Sequence, residues 1–115
     1  MDVVIDLAHG VVALTGRDEL DSLSVRVDAA ASDAAQDRLT DALAAAGIGR
    51  VDGHGDALLP TGALRGLAAE AAASEGRSLD AAWDEAFEGM LAYAATKGWI
   101  DDDGAVRAHV EWRDA

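Results

Sequence analysis

A chain of 115 residues with 22 acidic and 9 basic side chains carries a formal net charge of −13. That balance argues against non-specific binding to nucleic acid or to an anionic membrane, because phosphate contact needs clustered Lys and Arg. Cysteine is absent, which excludes disulfides, thiolate catalysis and Cys-ligated zinc or iron–sulfur centres.

Half of the residues are apolar, too many for a disordered acidic chain. The length predicts one domain over residues 1–115, able to bury a core without metal or disulfide staples. The N-terminus has no basic stretch followed by an apolar run, and no segment approaches the ~20 apolar residues of a membrane span. A soluble cytoplasmic protein that does not engage membranes is the expectation.

The first thirty residues read as β-structure. Val3–Ala8 and Val11–Thr15 are rich in β-branched residues, and His9-Gly10 suits a two-residue hairpin loop. That loop predicts Leu7 opposite Val12 and Ile5 opposite Leu14 on one face. Leu23–Asp28 alternates apolar with polar, the pattern of a half-buried strand.

Three helices follow. The first is predicted over Asp33–Ala46, with Ser32 or Asp33 as N-cap and Gly47 as the stop. Ile48 to Pro60 holds Gly49, Gly53 and Gly55 and then Ala57-Leu58-Leu59, which predicts a loop feeding a short strand. The second helix starts after Pro60 with Thr61 as N-cap and presents Leu64, Leu67, Ala68, Ala71 and Ala72. Glu75-Gly76-Arg77 breaks it. The third starts after Ser78. Its residues Trp83, Phe87, Met90, Leu91 and Ala94 recur at helical spacing, and Lys97-Gly98 ends it. That stripe is the expected core. Trp99-Ile100 and Ala105–Trp112 then flank the turn Asp101-Asp102-Asp103-Gly104 as a hairpin. The fold class is therefore α+β: an N-terminal β-hairpin and third strand, followed by helix, strand, helix, helix, hairpin.

The run Met90-Leu91-Ala92-Tyr93-Ala94-Ala95-Thr96-Lys97-Gly98-Trp99-Ile100 resembles the end of the recognition helix and the first wing strand of winged-helix domains. The resemblance covers roughly residues 33–112. It implies a winged-helix-like unit and raises the expectation of duplex binding, but that use transfers poorly. A recognition helix in the major groove needs Arg, Lys, Asn or Gln on its exposed side. Here it carries Asp80, Asp84, Glu85 and Glu88, and three aspartates stand where a wing would meet phosphates. Winged helices also serve as protein-binding modules, a use that fits an acidic surface.

Candidate chemistry is sparse. Asp52-x-His54-x-Asp56 places an imidazole and two carboxylates on one side of an extended segment, a set able to bind a divalent ion. Its structural alternative is a polar glycine-rich turn. The aspartates at 101–103 fail as an EF-hand, because with Gly104 at position six the first and twelfth positions would be Trp99 and Val110. No nucleophile elbow, phosphate loop or dinucleotide fingerprint is present. These readings converge on a small, acidic, non-catalytic protein without a cofactor, acting as an accessory module that binds a protein partner or homodimerises through its N-terminal strands. An acidic mimic of DNA and a metal protein built on Asp52, His54 and Asp56 are the alternatives.

Overall fold

The computed structural model describes residues 1–20, 22–52 and 55–113. Among these residues six strands and three helices follow one another as β1 (Asp2–Asp6), β2 (Val11–Thr15), β3 (Ser24–Val27), α1 (Asp33–Ala46), β4 (Arg50–Val51), β5 (Asp56–Pro60), α2 (Thr61–Ser74), α3 (Ala81–Thr96) and β6 (Ala105–Trp112). The class is α+β. All six strands lie in one mixed sheet of order β2-β1-β3-β6-β5-β4. β1 pairs antiparallel with β2 and parallel with β3, β3 runs parallel to β6, and β6 is antiparallel to β5. The N-terminal strands are thus continuous with the later strands rather than a separate appendage.

One face of the sheet is apolar. Val3, Leu14, Val25 and Val110 lie side by side across four strands, and Leu59 pairs with Val106 further along. All six are buried, in one cluster with Leu39 and Leu43 of α1, Leu64 and Ala68 of α2, and Trp83 and Phe87 of α3. The opposite face carries Arg26, Arg107, His109 and Glu111, all exposed. The three helices therefore cover a single face, giving two layers around one core.

The first hairpin departs from the expected register. Asp6 pairs with Val11 and Ile5 with Val12, so the loop spans Leu7 to Gly10. The cause is the Asp6 side chain, which accepts hydrogen bonds from the His9 backbone N–H at 3.2 Å and from Nδ1 of His9 at 2.7 Å. That local network closes a four-residue turn with Gly10 at φ 64°. The slip is two residues, so each side chain keeps its face.

Each helix ends in the same way. The N–H of Ile48, Arg77 and Trp99 reaches back five residues to Leu43, Ala72 and Ala94, and the glycine just before each, at 47, 76 and 98, has positive φ. This is the glycine-dependent stop that satisfies terminal carbonyls. The starts differ more from expectation. Ser32 caps α1 by accepting from the Ala35 N–H at 3.0 Å. Thr61 is already helical, because β5 runs through Pro60 straight into α2, and Pro60 offers no side-chain cap. The third helix, expected to start after Ser78, begins at Ala81, capped by Asp80, which accepts from the Trp83 N–H at 2.8 Å.

The segment before β5 is also more ordered than a loop. Arg50 and Val51 pair with Leu58 and Ala57 as a small hairpin. The expected first wing strand is correspondingly reduced, since Ile100 makes a single bridge to Val106.

Candidate functional site

Asp52 and Asp56 are brought together by the β4–β5 hairpin. The Asp52 N–H donates to the Asp56 carbonyl at 2.8 Å, and Oδ1 of Asp52 accepts from the Asp56 N–H at 3.0 Å. This is the local side-chain-to-backbone bonding that favours Asp in turns. Arg107 on β6 comes within 4.0 Å of a carboxylate oxygen of each aspartate. His109 on the same strand lies 3.6 Å from Asp56. His54, the expected imidazole of the metal cluster, lies outside the described residues. What accompanies the two carboxylates among the described residues is the Arg107 guanidinium, whose single positive charge offsets part of their charge. Among the described residues, no group of three or more His, Asp or Glu side chains is arranged to hold an ion.

The aspartate turn has a structural role. Oδ1 of Asp101 accepts from the N–H groups of Asp103 at 3.0 Å and Ala105 at 2.8 Å, and Arg50 reaches its other oxygen at 3.1 Å. The bond from Ala105 is the main reason that the Asp101 carboxyl sits below the ordinary aspartate value. Asp6 is lowered likewise, chiefly by the hydrogen bond to the His9 side chain.

The acids of α3 are similarly engaged. Asp80 is the cap. Asp84 and Glu88 both pair with Arg65 of α2, whose guanidinium also lies 4.7 Å from the centre of the Phe87 ring. Two helices are thereby tied across the protein surface by one arginine. Of the four acids expected to face a partner from this helix, only Glu85 makes no such contact among the described residues.

The remaining feature is a cleft of about 1010 Å³. Its wall on one side is α3, through Met90 and Tyr93. Its other side is formed by Asp18, Glu19, Leu20, Ser22 and Leu23, and its end is Trp99 beside the start of β6. Between β2 and β3, Arg17, Glu19 and Ser22 are each held by hydrogen bonds from elsewhere in the chain. The Met1 amino group donates to the carbonyls of Glu19 and Ser22, and Nε1 of Trp83 donates to the Arg17 carbonyl. Arg17 also pairs with Glu75 at the end of α2.

Tyr93 and Trp99 are 57% and 44% exposed, and their rings meet edge to face at 5.9 Å. Large aromatic rings gain most when removed from water, so two exposed in one depression stand out against a surface otherwise rich in Ala and Asp. Of the expected core stripe, Trp83 and Phe87 are buried, whereas Met90 is half-buried at the cleft wall. Sequence reasoning missed this site. Its signal lay in Tyr93, one position off the Ala94 side of the stripe, and in Trp99, just past the helix stop.

The chain matches no known protein family, no curated protein and no solved structure. No described helix is long and apolar enough to cross a membrane.

Proposed function

We propose that this chain is a small, acidic, non-catalytic interaction module that docks a protein partner in the cleft between α3 and the residues Asp18, Glu19, Leu20, Ser22 and Leu23. The observation that carries the reading is the pair Tyr93 and Trp99, both exposed and both facing that cleft. Aromatic residues in a depression are the usual anchors of a protein interface. The groups flanking the cleft support binding rather than bond-making chemistry: Asp56 stands beside Arg107, and among the described residues neither Ser22 nor Tyr93, the hydroxyls of the lining, is hydrogen-bonded through its side chain to a base. The net charge and the Arg65-paired acids of α3 support the further expectation that the module does not bind nucleic acid by itself.

A photo-reactive amino acid at position 93 should yield a discrete adduct with one partner in cells. The same group at Ala45, on the exposed side of α1, should not. The adduct should vanish with Gly89→Leu, which fills the cleft from α3; an adduct that survives this substitution would place contact elsewhere and sink the reading.

A second reading is self-association through β2. This strand is one of the two edges of the sheet among the described residues, and Val11 on it is 52% exposed. Open edges can pair with another chain. Sedimentation across a concentration series should then reveal dimers that strengthen as salt screens the charge of −13. A monomer under all those conditions removes this reading.

A further inference from the structure

We infer that the occupant of the cleft is a basic amphipathic helix from another protein. This rests on the reading of the cleft as a docking surface and adds the chemistry of what docks. Three observations select it. The wall on α3 runs through Ala86, Gly89, Met90 and Tyr93, a single helical stripe of about two turns. Small residues at 86 and 89 let a second backbone come close, and a Cβ built on Gly89 meets nothing within 4 Å. A helix laid along that stripe presents apolar side chains at matching spacing to Leu20, Leu23 and Trp99.

Strand addition is excluded by the β6 backbone at the cleft. The Arg107 N–H donates to the Trp99 carbonyl at 2.7 Å, the Asp101 N–H donates to Ala105, and Ile100 bridges Val106. Beyond that point β3 takes over the same side of β6. An extended peptide therefore finds no free ladder there, and recognition has to come from side chains.

Charge selects the sign of the partner. Asp18 and Glu19 line the cleft, and neither forms an ion pair among the described residues. Among the described residues that line the cleft the one cation is Arg107, which lies 4.0 Å from both Asp52 and Asp56. Two unneutralised carboxylates beside an apolar trough complement Lys or Arg flanking an apolar stripe. A second copy of this chain would bring a further −13 and is disfavoured at this site.

The test uses synthetic peptides and the full chain, read by tryptophan fluorescence and calorimetry. One peptide has leucines at i, i+3, i+4 and i+7 with lysines between; the others are its scrambled isomer and versions with glutamine or glutamate in place of lysine. The leucine–lysine peptide should bind, and the scrambled and glutamate peptides should not. Gly89→Leu should weaken binding by roughly tenfold or more by occupying the trough. The pair Asp18→Asn with Glu19→Gln should weaken it by roughly tenfold and flatten its salt dependence. Circular dichroism checks that each variant is folded, and the exposed Tyr93→Ala replaces any that is not. Equal binding of the scrambled peptide, or binding indifferent to Gly89→Leu and Tyr93→Ala, overturns the inference. If the glutamine peptide binds as tightly as the lysine peptide and is lost with Gly89→Leu, the docking cleft stands and the basic partner falls. If no peptide binds in a way sensitive to position 89, both fall.

Discussion

At the scale of single residues, the glycines divide into those the backbone requires and those it only tolerates. Gly49 has φ 132°, and a Cβ there would lie 2.1 Å from the Leu58 carbonyl oxygen. The obstacle is backbone in the partner strand of the β4–β5 hairpin, which cannot turn aside as a side chain would. Gly49→Ala should cost about 2–4 kcal/mol, combining left-side backbone strain with overpacking. Gly66 stands mid-helix in α2, and its added Cβ would meet nothing within 4 Å. Gly66→Ala should stabilise by about 0.5–1 kcal/mol, since alanine restricts the unfolded chain and favours helix. Urea denaturation of the two variants checks the contrast. Similar midpoints for both would show that the close approach at Gly49 does not govern stability.

At the scale of elements, helix ends were more legible than helix beginnings or strand partners. A glycine after an apolar stripe has one dominant meaning, because only glycine adopts the left-handed stop without cost, and Gly47, Gly76 and Gly98 each mark such an end. Starts are ambiguous wherever several capping residues crowd together. Ser78 and Asp80 both qualify by type, and the choice of Asp80 follows from where Trp83 must enter the core. The first hairpin shows a third kind of ambiguity. His9-Gly10 pointed to a tight turn, but the Asp6 carboxylate offered His9 a better-bonded one. A slip by two residues leaves the hydrophobic pattern unchanged, so the pattern could not report it. The parallel pairings of β1 with β3 and β3 with β6 left no local trace at all, because they join segments far apart in sequence. The cleft was hidden for the same reason: Leu20 and Leu23 meet Tyr93 and Trp99 only once those pairings are made. The acids of α3 read from sequence as an exposed negative face, and Arg65 of α2 could not be seen to pair with two of them.

At the scale of the whole molecule, charge opposes the fold that packing creates. The visible ion pairs, such as Arg65 with Asp84 and Arg26 with Glu111, are surface pairs worth about 0–1 kcal/mol each. Acids exceed bases 22 to 9, so uncompensated repulsion outweighs them. Added salt screens that repulsion more than it weakens the pairs. Melting should therefore shift upward by several degrees from low salt to about 0.5 M sodium chloride, a gain of roughly 1 kcal/mol for a domain of this size. A fall in melting temperature would mean that the ion pairs dominate.

The position of β6 bears on how such a chain reaches its folded state. Among the described residues, the strand furthest along the chain is central in the sheet, with β3 on one side and β5 on the other. While the chain emerges from a ribosome, β1, β2 and β3 have no strand-to-strand pairing with the β4–β5 hairpin until β6 has been made, and before then it is α2, in contact with both β2 and β5, that joins them. Loop closure over so many residues is slow, so the two groups of strands, held first through α2, complete the sheet together when β6 enters between them.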